Sequence, residues 1–231
     1  MSILQINDFD FSALSFGSEV KTGSNNGNKY VQLGYGPEKE QVKVRLAKTV
    51  NDAFRAPFGK DPVSKNEPDK FCVKIEMTPD VRAFIETFET ATINAALANS
   101  MAWMKVKKTD FATLKATYSS PIKASSKEDE ADTLKLKLKT NGSSKDTKVE
   151  VGSLKNGKLT NVKPGTVDDI EKGDKILPIV LVQGGVWLGA NKAFGTRPRG
   201  RAAPRPRASR VSASCGLRAG RLRVSTVLGL A

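Results

Sequence analysis

The residues in this chain best suited to chemistry are cations set beside aromatic rings. Lys43 and Arg45 share one face of the alternating run QVKVRL, residues 41–46. Lys135, Lys137 and Lys139 do the same in TLKLKLKT, residues 133–140. Trp103 is followed by Lys105, Lys107 and Lys108, and Phe58 lies in the Pro/Gly-containing string AFRAPFGKD. Cations at such spacing can track a phosphate backbone, and ring faces stack on bases without regard to sequence; a single-strand nucleic-acid binder needs both. Plainer readings stand beside this one. Alternating lysines also form a solvated outer face that guards a sheet edge. Trp103 suits a core as well as a stacking platform, Trp187 a core or a barrel wall, and Phe58 the packing of its own loop.

No catalytic signature accompanies these residues. GxxxxGK[ST], GxGxxG after a strand, and GxSxG are all missing from the sequence. The chain has no His, which removes the commonest general base, the commonest metal ligand and the near-neutral proton switch. Glu128-Asp129-Glu130 and Asp168-Asp169 lie in linker-like sequence and read as solvated charge runs. Cys72 and Cys215 have no metal-ligand spacing and no partner motif, so a reducing intracellular compartment is expected, a nucleus or viral replication site among them. The N-terminal MSILQINDFDFS carries acidic residues and no apolar core of a secretory signal. No apolar run approaches the length of a membrane span. The expectation is a non-catalytic protein with no cofactor, no metal, no small-molecule substrate and no membrane.

Charge divides the chain in two. Residues 1–195 hold 26 Lys and three Arg against 24 acidic residues, a formal +5 of the total +14. Residues 196–231 hold nine Arg and no Lys, Asp or Glu, a formal +9. Arg, Ala, Pro and Gly make up 22 of those 36 residues, and no aromatic is among them. Such a segment buries too little apolar surface to offset its ordering entropy, so a disordered basic tail is expected. A polycationic arm gripping phosphates is one reading of it. A GC-rich stretch read in a shifted frame or through an intron is the other, since its codons yield these same residues.

The elements that must position the candidates follow from hydrophobic period. Residues 1–28 read as a loose arm able to pack onto the body, then a flexible loop, ending in KTGSNNGN. Strands are expected at 30–34, at 41–46 with Val42, Val44 and Leu46 inward, and at 71–77 with Phe71, Val73, Ile75 and Met77 inward. Residues 51–69, with three prolines, read as a long loop. Thr78 and Pro79 form a helix start, and Val81, Phe84, Ile85 and Phe88 carry helical spacing towards Ala98. Asn99-Ser100 reads as its end, and a short helix is expected from Phe111 to Tyr118. Residues 123–132 form a charged linker. Beyond it come strands at 133–140, 148–151, 176–182 and 186–189, turns at Asn141-Gly142 and Asn156-Gly157, a hairpin turn at Gly184-Gly185, and the start of a last strand at 192–195. About seven short strands in hairpin-like pairs around one long helix argue for a mainly β domain, an antiparallel barrel or sandwich with inserted α.

Several strings together carry a resemblance: Ala56-Pro-Phe-Gly59 after a basic strand, the strand 70–77 running into the Pro79 helix, Asn99-Ser-Met-Ala-Trp103, and Val180-Leu-Val-Gln-Gly-Gly-Val-Trp-Leu188 followed by Ala193-Phe-Gly195. Over residues 29–195 the chain resembles a family of mostly uncharacterised proteins of large DNA viruses and algae, likened to phage-type single-stranded-DNA-binding proteins. The resemblance implies an OB-like Greek-key β-barrel domain at 29–195, with the helix at 79–98 and a basic cleft whose candidates are Arg45, Trp103, Lys105, Lys107 and Lys108. Lys43 and Phe58 join them on the residue patterns above. The partner implied is single-stranded nucleic acid, DNA before RNA, with a homo-oligomer allowed. The chain departs from the family where Thr196-Arg-Pro-Arg replaces an aromatic closing strand, and where a basic tail stands in place of an acidic one. The alternative is a structural or scaffold protein of virus-like origin whose lysines only solubilise it.

Overall fold

Strict alternation of apolar and charged residues buries one side of each central strand. Val42, Val44 and Leu46 are all buried, as are Leu134, Leu136 and Leu138. Each such side chain contributes about 1.5–3 kcal/mol on leaving water. The structure is a computed structural model. It describes residues 3–23, 29–39, 42–64, 67–126, 129–138, 149–156, 158–182, 185–189, 193–196, 199–201 and 223–225. The expected turn at Asn141-Gly142, along with Lys139 and Cys215, lies outside the described residues.

In chain order the first elements are β1 (Ile3–Gln5), β2 (Leu14–Thr22), β3 (Lys29–Tyr35), β4 (Val42–Arg45), β5 (Phe54–Ala56), β6 (Lys60–Ser64) and β7 (Glu67–Glu76). Three helices follow, α1 (Pro79–Ala98), α2 (Ser100–Met104) and α3 (Phe111–Thr117). Next come β8 (Ile122–Lys123), β9 (Thr133–Leu138), β10 (Val149–Lys155), β11 (Lys158–Gly165), β12 (Asp174–Ile176) and β13 (Ile179–Val182). The last are β14 (Val186–Leu188), β15 (Phe194–Thr196), β16 (Arg199–Arg201) and β17 (Arg223–Ser225).

The chain is mainly β, as its patterning led us to expect, but among the described residues the strands do not close into a barrel. The largest sheet runs β1-β4-β13-β16-β9-β7-β6, with β8 beside β9. Its pairs are antiparallel except β1 with β4 and β16 with β9. A four-stranded sheet runs β15-β14-β3-β2, a three-stranded one β11-β10-β17, and β5 pairs with β12. One departure lies at the expected hairpin turn Gly184-Gly185, of which Gly185 is described. β13 stays in the large sheet, whereas β14 pairs with β3 and β15. The chain changes sheets at this corner, and Gly185 permits it with φ +111° and a backbone so close that a Cβ would lie 1.8 Å from the Val31 carbonyl oxygen.

Helix α1 ties two apolar clusters together. Its first turns place Val81, Phe84 and Ile85 against β4, β7 and β9, and its later turns place Ile93 and Ala96 against Val31, Trp103, Leu114, Val186 and Phe194. Thr78 caps it, accepting a hydrogen bond from the Val81 amide at 3.4 Å, with Pro79 in the first turn. Both ends match the expected bounds. Asn99-Ser100 does not end helical structure, however: α2 begins at Ser100 after a single irregular residue.

Three further expectations are corrected. The N-terminal arm is an integral part of the fold: six residues of β2 pair with β3, and Ile6 and Phe9 are in the core, Phe9 edge-on to Phe84 at 5.2 Å. The long loop at 51–69 holds β5, β6 and the start of β7. Its prolines hid these strands: β5 is paired far off in sequence with β12, β6 forms a hairpin with β7 next to it, and Pro62 sits on the sheet-edge strand β6 where a missing N–H is tolerated. Within the tail, Arg199–Arg201 and Arg223–Ser225 are strands, so disorder does not describe those six residues; the rest of the tail beyond Thr196 lies outside the described residues.

β16 bridges β13 and β9 across the large sheet, with Leu181 opposite Arg199 and Arg199 opposite Lys137. A chain ending at residue 195 loses that bridge and leaves two strand edges bare. It should unfold at lower denaturant concentration than a chain ending at 201, a comparison that urea titration of the two makes directly.

Candidate nucleic-acid interface

The expected site residues fall in three separate places. Phe58 is at the tip of the turn after β5, 49% exposed. Arg45 is exposed at the end of β4, two strands removed from β9 by β13 and β16. Lys105, Lys107 and Lys108 are exposed after α2, which packs on β2. No single cleft gathers them.

Two of the candidates are buried. Trp103 is 5% exposed and lies in the second apolar cluster, its indole N–H donating to the Gly17 carbonyl oxygen at 3.1 Å. With α2 following α1 so closely, the ring falls between α1 and β2, so it is no stacking platform for a base. A buried indole needs a partner for its N–H, and Gly17 supplies one. Lys43 is also 5% exposed, because β4 is an inner strand flanked by β1 and β13 and Val42–Val44 are buried on both sides. It cannot meet a phosphate where it stands. Trp187 is half-buried on β14 and belongs to the wall of the four-stranded sheet.

Around Phe58 the structure forms an open cleft of about 810 Å³. One wall is the turn, with Arg55, Pro57 and Phe58; the floor is Lys74 and Glu76 of β7 with Thr133 and Lys135 of β9. The facing wall is the segment Lys123–Ser126 with Asp129–Ala131, and Lys172 closes one end. Five cations and three carboxylates line it, a formal +2.

The turn that carries Phe58 is rigidly set. The Gly59 amide donates to the Ala56 carbonyl oxygen at 3.3 Å, and the Gly173 amide reaches the same oxygen at 2.8 Å. Gly59 has φ +71°, and a Cβ there would lie 2.7 Å from the Lys172 amide nitrogen. Only glycine lets the two turns meet so closely, and their meeting fixes Phe58 beside Lys172. The Lys74 ammonium sits over the Phe58 ring, 5.0 Å from its centroid, within cation–π range.

Lys74 stands directly opposite Lys135 across the β7–β9 ladder. Like charges so opposed cost stability, offset in part by Asp61 at 3.7 Å from Lys74. Arg55 pairs with Glu76 at 3.1 Å on the surface, a link of about 0–1 kcal/mol that a phosphate can replace.

The facing wall is clamped at its base. The Asp132 carboxylate accepts from the Ser125 amide at 2.8 Å and pairs with Arg82, and the Asp132 carbonyl accepts from Met77 at 2.9 Å. The Ser125 amide, helped by the Arg82 guanidinium, holds the Asp132 carboxyl below its ordinary range. A depressed carboxyl stabilises above its unfolded pKa and loses that contribution as pH falls through its folded value. The Ser125 amide resonance should therefore hold its position through the ordinary titration range of Asp, near about 3.9, and shift only at lower pH.

No protein-family model, no curated protein and no solved structure matches this chain. Among the described residues no group of three or more His, Cys, Asp and Glu could hold a metal ion, and no helix is long and apolar enough to cross a membrane.

Of the expected site residues, Phe58 alone lines the cleft. Lys135 was visible in the sequence as part of a basic face. Arg55, Lys74, Lys123 and Lys172 were missed as site residues, because what unites them is strand register and the meeting of two turns. One signal did exist: Lys74 alternates with Val73 and Ile75 as Lys135 does with Leu134 and Leu136.

Proposed function

We propose that this protein is a non-catalytic, sequence-tolerant binder of single-stranded nucleic acid, and that its cleft at Phe58 receives a base with its flanking phosphates. One observation carries the reading: a half-exposed aromatic ring, on a turn tied by two hydrogen bonds to the Ala56 carbonyl, stands among Arg55, Lys74, Lys123, Lys135 and Lys172. A fixed ring loses little freedom on stacking, and the cations supply the phosphate term. From the family resemblance the proposal keeps the mode of binding, cations and a ring on a β surface, and not the closed OB barrel. Arg45 and the Lys105–Lys108 cluster serve as outlying phosphate contacts. DNA is proposed ahead of RNA on the resemblance alone.

The test is fluorescence anisotropy of a labelled oligo-dT with the full chain over a salt series. Affinity should fall steeply with salt, and duplex DNA should compete poorly, because a paired base cannot reach a ring inside a cleft. Lys135→Gln should weaken binding several-fold and reduce the salt slope by about 0.7. Binding that duplex DNA displaces equally well would assign the affinity to the Arg-rich C-terminal segment and favour the scaffold reading for the folded body.

A further inference from the structure

The wall of the cleft that faces Phe58 carries two adjacent serines, and the structure tells them apart. Ser125 is half-buried; its amide is engaged by Asp132 and its hydroxyl donates towards Glu130 at 3.5 Å. Ser126 is exposed and lines the cleft. The segment is clamped at Ser125 and at Asp132, and the described positions between them, Ser126 and Asp129–Ala131, are all exposed. Asp129 stands three residues after Ser126 and Glu130 four. An exposed serine in a clamped surface segment, with carboxylates at these spacings, is what an acid-directed serine/threonine kinase needs. The Ser126 hydroxyl is open to the kinase, and the carboxylates meet that kinase's basic recognition groups.

We propose that Ser126 is a phosphorylation site and that its phosphate switches the cleft off. The inference rests on the nucleic-acid reading of that cleft. In the transfer, the Ser126 Oγ attacks the γ-phosphorus of a nucleoside triphosphate. The bond from that phosphorus to the β–γ bridging oxygen breaks, the nucleoside diphosphate leaves with the electron pair, and the hydroxyl proton passes to the kinase's carboxylate base. The product carries about −1.5 to −2 charge at pH 7, enough to cancel the formal +2 of the cleft lining. Lys123, Lys135 and Lys172 then have an internal anion to face, and the phosphate of a nucleic acid must displace it or meet it. Asp129 and Glu130 add to the repulsion.

The experiment treats the full chain with a purified acid-directed serine/threonine kinase and magnesium ATP. It maps the phosphate by mass spectrometry in the parent, Ser125→Ala and Ser126→Ala chains, then measures oligo-dT anisotropy before and after treatment. The expected result is one phosphate on Ser126, lost in Ser126→Ala and kept in Ser125→Ala. Affinity should fall about fivefold or more, and the salt slope by about 1.4, the equivalent of two phosphate contacts. Phosphate on Ser125 or elsewhere in place of Ser126 overturns the site, and a Ser126 phosphate that leaves affinity and slope unchanged overturns the switch. Ser126→Glu, with part of the charge and no kinase in the sample, should shift both readings in the same direction. If the untreated chain does not bind oligo-dT, the nucleic-acid reading falls and the switch with it, while the phosphate map still decides the modification site.

Discussion

Replacing Phe58 with Ala in the full chain should weaken oligo-dT binding roughly tenfold to a hundredfold, with the slope of affinity against salt unchanged. Base–aromatic stacking is worth about 1–3 kcal/mol per base, and about 1.4 kcal/mol is a factor of ten. Stacking releases no counterions, so its loss lowers the whole salt series without tilting it. A lysine variant of the same cleft tilts the line. The two kinds of substitution therefore separate the ring's contribution from that of the cations. Phe58→Trp should hold or improve affinity, and Phe58→Leu should behave like Ala, because apolar bulk without a π-face does not stack. Stability should hardly move, since half of the side chain is already in water and its removal opens no cavity. A folded Phe58→Ala chain with parental affinity would remove the cleft from the interface.

Legibility in the sequence followed the range of the interactions. α1 was readable to its ends because its cap, its proline and its apolar spacing are local. The inward leucines of β9 and valines of β4 were readable because alternation is local too. What failed was mostly long-range. Pro57, Pro62 and Pro68 concealed β5, β6 and the start of β7: β5 is completed by a strand more than a hundred residues away, while the neighbouring β6–β7 hairpin was hidden by prolines that argue against strand. The sheet switch at Gly185 looked like a hairpin because two glycines between apolar runs have the same local signature in either role. The site followed the same division. Exposed lysines on alternating strands could be named, yet Lys43 is buried by its neighbours on both faces, a matter of strand order. Phe58 was one of several rings beside cations until two glycine turns placed it against Lys172. The cleft itself comes from register, Lys74 opposite Lys135, which hydrophobic period does not encode.

Trp103 tests that same distinction from the side of stability. Trp103→Ala should destabilise the fold by about 3–5 kcal/mol, the usual cost of emptying a large aromatic site in a core. The ring contacts the cluster of Val31, Ile93, Leu114, Val186 and Phe194 and lies 6.3 Å from the Phe16 ring, so it joins α1, α2, α3 and both middle strands of the four-stranded sheet. Its removal also leaves the Gly17 carbonyl without the indole donor; Gly17 is only half-buried, so water replaces part of that bond and the further cost stays near about 1 kcal/mol. Domains of this size commonly have about 5–15 kcal/mol of stability in all, so the variant should melt far below the parent and populate unfolded chain at physiological temperature. Trp103→Phe keeps much of the volume and loses the hydrogen bond, so its deficit should be clearly smaller. Denaturant midpoints of the three chains give the stability series, and oligo-dT titration of a folded Trp103→Leu chain, which has no π-face to stack, separates the two roles. A core residue predicts unchanged affinity per folded molecule. A stacking residue predicts the reverse, intact stability in Trp103→Ala with lost affinity, and that result would return the interface to the Lys105–Lys108 side of the molecule.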